Sequence, residues 1–431
     1  MANSYLNRTQ SSATSDKIGT FSAWIKLSNF SDAVFSGHTD SSNRIALYFS
    51  DTLRIYGAIG GSQSVYLITN QVFRDPSAYY HVVIAWDTTQ GTDSNRFKIY
   101  VNGSQITSFS TASYPTQNAD VYWNKGTTSI VGARYVSSIT NYFDGYMSHV
   151  AFVDGQQLAP TVFGETDSTS GIWKFKSPSG VTWGNNGFHL KFENSGALGT
   201  DSSGNSNTFT VNGNGRQALD TPSNVQCTFN PLIITSAGGV AVRTPGFQDS
   251  NTTALFDDSG NNEFALTTIA PSKGKWYAEF KWANATGNAA STVGIVKSDF
   301  VLQTDVNDQG IVYKGDGNKV VNNSSSSYGA SWTTGDIIGI ALDCDSNTVN
   351  FYKNSVAQGS ISIDADTNWY MFCSSYALSS TTRSVNANFG NGYFGTTAIS
   401  SAGSNGNGSL FEYDVPSGYY ALNTKNINTY G

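Results

Sequence analysis

Apolar side chains recur at every second position in many short stretches of this sequence. In one stretch they occupy Ile338, Ile340 and Leu342, and after a short polar interval they occupy Val349 and Phe351. A period of two is typical of β-strands with one buried face. The polar residues between the two runs favour a turn, so the stretch is predicted to form a β-hairpin in an antiparallel sheet.

The same alternation runs through the first 165 residues, in stretches such as TFSAWIKLS, RIALYFS and YYHVVIAWD. The last of these directs Val82, Ile84 and Trp86 to one side. A later stretch, RFKIYVNG, ends in Asn102-Gly103, a strong hairpin signal. Because no helical period of useful length competes, the fold class is predicted to be all-β, with two antiparallel β-sandwiches.

The second half contains a specific series of motifs. GKWYAEFKW (274–282), VGIVKSD (293–299), the hairpin GDIIGIALDCDSNTVNFYKN (335–354) and NFGNGYF (388–394) follow one another in this order. The series resembles SPRY domains, which are β-sandwich binding modules that recognise proteins through loops at one end. The resemblance implies binding and not chemistry. The opening strand is expected to bury one face, formed by Trp276, Ala278, Phe280 and Trp282.

The first half carries a second series of motifs. FSAWIKLS, HVVIAWD, KIYVNG and FDGYMSHVAFVDGQQL appear in an order that resembles the laminin-G-like, concanavalin A-type lectin fold. The resemblance implies a jelly roll for the first sandwich. The form that ends in FVDGQQLAPTVFGETD resembles the version carried by phage virion proteins. It therefore implies a virion protein that is synthesised in the host cytoplasm.

Four regions are predicted from these motifs and from composition. Residues 1–165 form the lectin-like domain, and residues 236–400 the SPRY-like domain. The connector 166–235 is rich in Gly, Asn and Ser, and it either completes the first sandwich or forms a unit of its own. In the final region, 401–431, the segment SAGSNGNGS reads as a flexible linker. The tail after it is predicted to be an ordered wrap and not a helix.

Charge and cysteine content narrow the range of functions. The formal charge is −7, only 13% of residues are charged, and Lys and Arg do not cluster as a phosphate backbone would require. No nucleic-acid partner is therefore expected. The three cysteines are expected to be buried free thiols. The opening MANSYLNRTQ does not resemble a secretion signal, and no apolar run approaches the ~20 residues of a membrane span, so no membrane insertion is expected.

Catalytic patterns are incomplete, and no enzymatic activity is predicted. Glycan hydrolases of the lectin fold need two carboxylates about 5 Å apart on one strand. Glu165-Thr-Asp167 begins such a pattern, but Ser170 stands where the third acid would be. The histidines are scattered singly, which favours structural roles over catalysis. They are His38, His81, His149 and His189.

No cofactor is predicted, and calcium is the alternative. DVNDQGIVYKGD (305–316) places oxygen-bearing side chains at the first, third and fifth positions and a glycine at the sixth, as a calcium loop does. Gln309 is a poor ligand, and Asp316 is shorter than the usual bidentate Glu. A solvated loop is therefore favoured over a calcium site.

The favoured function is a structural virion protein, a tail fibre or surface appendage that binds a host glycan or protein. Capsid decoration and a polysaccharide depolymerase are the alternatives. Expected partners are other virion proteins, a host surface receptor and further copies of this chain, in a trimer. Receptor-binding candidates come from the longest polar stretch of the second half and from one region of the first. They are Asp305, Asn307, Tyr313, Lys314, Asp316 and Tyr328, and Tyr122, Trp123 and Arg134.

Overall fold

Short antiparallel strands form most of the regular structure in both halves of the chain. The computed structural model describes residues 3–28, 32–125, 128–232, 236–237, 240–241, 245–257, 262–284, 290–300, 309–376 and 382–431. The contacts divide the chain into an N-terminal unit, Met1–Gln217, and a C-terminal unit, Ala218–Gly431. Both contain antiparallel sheets with apolar cores, as the predicted all-β sandwiches require.

The strands of the N-terminal unit form two principal sheets. One has the order β10-β6-β5-β4-β3-β11-β1-β18, and the other has the order β17-β14-β2-β7-β8-β9. The strands are Tyr5–Thr9 (β1), Ile18–Leu27 (β2), Asp32–His38 (β3), Arg44–Phe49 (β4), Leu53–Ile59 (β5), Ser62–Thr69 (β6), Tyr80–Asp87 (β7), Phe97–Val101 (β8), Ser104–Ile106 (β9), Phe109–Ser113 (β10), Thr128–Val131 (β11), Arg134–Tyr135 (β12), Ile139–Thr140 (β13), Gly145–Asp154 (β14), Gly164–Thr166 (β15), Trp173–Phe175 (β16), Phe188–Leu190 (β17) and Thr210–Asn212 (β18), with 3₁₀ turns at Asp93–Asn95 and Pro160–Val162.

The predicted alternation in β7 is confirmed. Val82, Ile84 and Trp86 are fully buried in the core of the N-terminal unit. The predicted hairpin is also present, because Val101 pairs with Ser104 across a two-residue turn. Asn102 and Gly103 have φ values of 48° and 80°, which a turn of this type requires and which Asn and Gly tolerate best.

Much of the connector belongs to the N-terminal unit. Strand β17 pairs with β14 at the edge of one sheet, and β18 pairs with β1 at the edge of the other. Phe188, Leu190 and Phe209 enter the same core as β7. The connector up to Gln217 therefore extends the first sandwich.

The C-terminal unit also contains two principal sheets. Their orders are β21-β22-β33-β24-β29-β30-β31, with β36 beside β24, and β23-β32-β25-β26-β27-β28. The strands are Ser236–Ala237 (β19), Val240–Ala241 (β20), Gly246–Gln248 (β21), Thr253–Phe256 (β22), Asn262–Leu266 (β23), Lys275–Asn284 (β24), Ser291–Lys297 (β25), Gly310–Lys314 (β26), Asn318–Val321 (β27), Ser324–Ser327 (β28), Ile337–Asp343 (β29), Thr348–Lys353 (β30), Val356–Ser362 (β31), Trp369–Tyr376 (β32), Arg383–Asn388 (β33), Tyr393–Phe394 (β34), Thr397–Ala398 (β35) and Tyr420–Ala421 (β36), followed by the helix Thr424–Tyr430 (α1).

Strand β24 is buried on both faces. The predicted face is confirmed, since its four apolar residues, Trp276 to Trp282 in alternation, are fully buried. Tyr277 and Glu279 on the other face are buried as well. The C-terminal segment covers them, because Phe411 and Val415 pack in one cluster with Tyr277.

Two predictions for the last 31 residues are wrong. The segment 401–409 is not a free linker, because Gly403 N donates to Phe411 O at 2.8 Å and Ser404 N donates to the Asp414 carboxylate at 2.7 Å. The tail also ends in a helix, α1. Asn423 caps this helix by accepting a hydrogen bond from Asn426 N at 2.9 Å, and an N-cap of this kind satisfies a backbone donor that would otherwise be unpaired.

The C-terminal unit begins before residue 236. Cys227 N donates to Leu422 O at 2.9 Å, and Thr424 N donates to Val225 O at 3.0 Å. Phe229 is fully buried, with its ring centroid 5.6 Å from that of Phe389. Part of the predicted connector is therefore core of the second unit.

We expect a fragment of residues 218–431 to be more stable than one of residues 236–431. The shorter fragment loses the Phe229 ring, and removal of a buried phenylalanine side chain costs about 3–5 kcal/mol. Urea unfolding followed by tryptophan fluorescence measures the difference. Phe229→Ala in the longer fragment is the matched control. Its free energy of unfolding should lie between those of the two fragments. Equal stability of the two fragments would contradict a core that includes residues 225–229.

Candidate functional site

Alternate residues of β4, β5 and β6 form an outer sheet surface in the N-terminal unit. Leu47 and Ile55 point into the core, so their neighbours Tyr48, Arg54 and Tyr56 point the other way. Strand pairing sets Tyr48 opposite Arg54, and Tyr56 opposite Tyr66. We call this surface the arginine–tyrosine face. It consists of Arg44, Tyr48, Arg54, Tyr56, Tyr66 and Arg134.

Two arginines lie against the same tyrosine ring. The guanidinium carbon of Arg54 is 4.2 Å from the ring centroid of Tyr48, and that of Arg134 is 5.3 Å from it. Arg134 Nη1 also donates to the Tyr48 hydroxyl at 2.6 Å, and its Nε donates to Asn141 Oδ1 at 2.9 Å. These contacts fix the position of Arg134. They cover Tyr48, which is only 3% exposed.

The other half of the face is built around Tyr56. The guanidinium carbon of Arg44 lies 5.9 Å from its ring centroid. The Tyr56 and Tyr66 rings are nearly perpendicular, at 85°, with centroids 5.7 Å apart. Edge-to-face packing of this kind is favourable for aromatic pairs. Arg44, Tyr56 and Tyr66 all remain partly exposed, so a ligand can reach them.

The charge on this face is not neutralised within the described part of the unit. Arg44, Arg54 and Arg134 form no ion pair with a described side chain. A guanidinium group keeps its proton at physiological pH. The face is therefore a local positive surface on a chain whose formal charge is −7.

The structure separates the candidate residues predicted in the first half. Arg134 belongs to the arginine–tyrosine face. Tyr122 is half-buried, and its hydroxyl donates to Asn43 Oδ1 at 3.1 Å. Trp123 is fully buried, with its ring centroid 5.3 Å from that of Trp86. Its prediction as a receptor contact is wrong, because the ring packs in the core.

The candidates predicted in the second half are also separated. Asp305 and Asn307 lie outside the described residues. Asp316 is exposed and accepts a hydrogen bond from Asn318 N at 2.9 Å, and Lys314 is half-buried. Tyr328 is half-buried, and its hydroxyl donates to Gly359 O.

Tyr313 is a core residue and not an exposed contact. Its side chain is 0% exposed, and its hydroxyl donates to Ala330 O. The surrounding sequence is polar, but Gly310–Lys314 forms β26 between β25 and β27. The polar stretch that supplies these candidates runs from 301 to 328. Its described part, from residue 309, contains the three strands β26, β27 and β28.

The calcium pattern does not fit the described backbone well. The sixth to tenth positions of the pattern are the residues of β26, which are extended and paired on both sides. A calcium loop instead turns sharply at its sixth position. Across the described residues, no group of three or more His, Cys, Asp or Glu side chains is arranged to hold a metal ion.

One serine and one histidine are close enough to raise the question of nucleophilic catalysis. His81 Nε2 lies 2.9 Å from Ser22 Oγ, and both residues are buried. Trp173 Nε1, which is only a donor, donates to His81 Nδ1 at 2.9 Å. The neutral ring therefore carries its proton on Nε2 and donates to Ser22. Burial also lowers the pKa of His81 to about 3, so the pair does not activate the serine as a nucleophile.

The remaining sequence features have structural explanations. Asp167, part of the incomplete acid pattern, pairs with Lys174 at 2.9 Å. Cys227, Cys344 and Cys373 are buried free thiols, as predicted. No helix in the described ranges is long and apolar enough to cross a membrane.

Two stretches of the chain match family models. Residues 2–162 match the Laminin_G_3 family of the concanavalin A-like lectin/glucanases superfamily. Residues 275–391 match the SPRY domain family. The chain carries a concanavalin A-like domain followed by a SPRY domain. The arginine–tyrosine face lies in the concanavalin A-like domain, and Tyr313 lies in the SPRY domain.

Similar solved structures include other SPRY domains. The SPRY domain of human HERC1 is 20% identical, with a TM-score of 0.27, and the match covers 32% of this chain and 93% of that chain. A human SPRY domain is 16% identical, with a TM-score of 0.26 and coverages of 32% and 90%. The TRIM65 PSpry domain is 12% identical, with a TM-score of 0.29 and coverages of 38% and 88%. No curated protein matches the sequence.

Sequence reasoning found only one member of the arginine–tyrosine face, Arg134. The alternation in RIALYF and LRIYGAI contained a further signal, since Tyr48, Arg54 and Tyr56 occupy the positions between core residues. The cross-strand pairing that brings these side chains together depends on the hairpin turns, and alternation within a strand does not specify it.

Proposed function

We propose that this protein is a non-catalytic structural component of a phage virion, a tail fibre or surface appendage that binds a glycan or protein on the host cell. The observation that carries the proposal is the arginine–tyrosine face in the concanavalin A-like domain. Two domains from families of binding modules, and the resemblance of the first half to phage virion proteins, support it.

The face has the properties of a binding surface. Its tyrosine rings supply apolar area with little conformational freedom to lose, and its arginines supply charged donors. Contacts within the face already order its side chains. Arg134, for example, is held by Tyr48 and Asn141. A ligand would therefore meet side chains that need little rearrangement. We also propose that the protein contacts other virion proteins and that three copies of this chain form a trimer.

We expect the purified protein to compete with phage particles for adsorption to host cells. Its mass in solution, compared with the 46.2 kDa of one chain, establishes which oligomer is being tested. Unimpaired adsorption at saturating protein would contradict receptor binding and favour capsid decoration. New reducing ends from host glycans would instead favour the depolymerase alternative. An antibody to this chain, imaged on intact particles, would place it on the tail or on the capsid.

A further inference from the structure

We infer that the arginine–tyrosine face binds an acidic saccharide, with carboxylate or sulfate groups paired to its arginines and a sugar ring packed on its tyrosines. This inference rests on the proposed function and names the class of ligand. It is carried by three features of the face. Arg44 and Arg54 donate no hydrogen bond to a described residue, two arginines border one tyrosine ring, and the hydroxyls of Tyr56 and Tyr66 have no described partner.

Arg44 and Arg54 have donors available for a ligand. Neither donates a hydrogen bond to a described residue, although a guanidinium group carries five N–H donors. The Nε of Arg54 is buried, so its terminal Nη groups are the donors that a ligand could reach. Arg96 of the same domain shows the contrast. It donates to the backbone oxygens of Gln90, Pro115 and Gly91 at 2.8–2.9 Å, so its role is structural. Among the described residues, the contacts that hold Arg44 and Arg54 are with tyrosine rings.

The arrangement of charge favours an anionic partner. Arg54 and Arg134 lie 4.2 and 5.3 Å from the same ring centroid, so both positive groups border one tyrosine ring. Like charges repel, and no described carboxylate offsets this repulsion by an ion pair. An anionic ligand on this face would supply the attraction that these charges lack. Carboxylates and sulfates suit the forked donors of arginine, which can bind two oxygens at once.

The tyrosines favour a saccharide over a simple anion. Tyr56 and Tyr66 are partly exposed, and neither hydroxyl has a hydrogen bond to a described residue. A ring of this kind packs against the apolar side of a sugar, and its hydroxyl can donate or accept. A nucleic acid is the weaker fit. Such partners commonly use about 6–10 phosphate contacts, and this face has three arginines on a chain with a charge of −7.

The test measures binding of the full chain to three hexasaccharides by calorimetry. The probes are hexagalacturonate, a heparin hexasaccharide and a neutral galactose hexasaccharide. We expect at least one acidic probe to bind more tightly than the neutral one, with binding that weakens as salt is raised. Arg44→Gln combined with Arg54→Gln should weaken acidic binding by about tenfold or more, since two charge-assisted contacts are lost.

The matched control is Arg74→Gln. Arg74 lies in the same domain, but it forms an exposed ion pair with Asp51 at 3.1 Å and is not part of the face. It should bind the acidic probe as the wild type does. Arg44→Lys combined with Arg54→Lys should retain part of the affinity, because lysine keeps the charge but not the forked donors. Circular dichroism of each variant checks folding, which should persist because Arg44 and Arg54 make no structural hydrogen bond with the described residues.

The inference is overturned if the double glutamine variant binds the acidic probe as tightly as the wild type, or if neutral and acidic probes bind equally. A single-stranded DNA oligonucleotide of equal charge that binds as tightly would also overturn it. The adsorption assay separates the two proposals. If the protein competes with phage for adsorption but does not bind the acidic probes, this inference alone is removed. If it binds the acidic probes through the arginines but does not compete with phage, the proposed function alone is removed.

Discussion

Replacing Tyr313 by alanine is expected to destabilise the SPRY domain by about 3–5 kcal/mol, the range for large aromatic side chains removed from a core. The ring is fully buried. Its centroid lies 5.3 Å from that of Tyr328 and 5.6 Å from that of Phe351. Alanine would leave a cavity that neighbours on paired strands cannot readily fill. Urea unfolding followed by tryptophan fluorescence measures the loss.

Two further variants separate the contributions to this loss. Tyr313→Phe keeps the ring but leaves Ala330 O without its hydroxyl donor, which should cost about 1 kcal/mol. Lys314→Ala changes the adjacent, half-buried residue and should change stability by no more than about 0.5 kcal/mol. A Tyr313→Ala protein as stable as the Lys314→Ala protein would contradict the buried position of the ring.

The second large effect concerns a buried carboxylate. Glu279 in β24 is 0% exposed and holds the C-terminal segment. It accepts hydrogen bonds from Glu412 N at 2.9 Å and from Tyr413 N at 3.0 Å. Asn388 Nδ2 at 3.3 Å and the Tyr277 hydroxyl at 3.4 Å also donate to it. Burial raises the pKa of Glu279 to about 7, and these hydrogen bonds oppose the shift only in part.

We expect this group to make the SPRY domain less stable as the pH rises. Between its ordinary pKa of 4.5 and the raised pKa of about 7, the folded state of Glu279 binds a proton that the unfolded state has released. The free energy of unfolding therefore falls across this window, by about 3 kcal/mol, and levels off above it. Histidines do not obscure the effect in this domain. All four, His38, His81, His149 and His189, lie in the N-terminal unit.

The measurement is the difference in unfolding free energy between wild type and Glu279→Gln from pH 4.5 to 8.5. Glutamine removes the titration, so the difference should shift by about 3 kcal/mol in favour of the variant as the pH rises. At low pH the variant should be less stable by about 1–3 kcal/mol, because its amide nitrogen cannot accept from a backbone N–H. Asp316→Asn changes an exposed residue of the same domain, and its difference in unfolding free energy from the wild type should not change with pH. A flat difference for Glu279→Gln as well would mean that this carboxyl does not carry the pH dependence.

Sequence alternation predicted well where a strand is long. The predicted face of β24, from Trp276 to Trp282, is fully buried. A ten-residue strand repeats its pattern often enough to define an apolar side. Alternation cannot say what covers the other side. Tyr277 and Glu279 are buried by residues more than 100 positions away, such as Phe411, and no local signal indicates such a contact.

The errors at Tyr313 and Trp123 share one cause. Both residues stand in short stretches with polar neighbours, which favour a loop over a strand or a core position. Strand β26 is paired on both sides, by β25 and by β27, and Tyr313 points from it into the core of the second unit. Trp123 lies outside the strands and packs in the core of the first unit. Burial of this kind comes from long-range packing. For the same reason, the sequence predicted Arg134 as a candidate but could not predict the ring beneath it, Tyr48.

The route of the chain through the C-terminal unit also affects how this unit bears mechanical force. Gln226 and Asn423 pair in antiparallel fashion, so the segments 225–227 and 422–424 run side by side and leave the pair at the same end. Force applied to the chain before residue 225 and after residue 424 would pull the two segments apart from that end. Their hydrogen bonds would then break one after another and would not be loaded together in shear. Further peeling would detach β36 from β24 and then uncover Glu279. Under tension, the C-terminal segment is the part that yields.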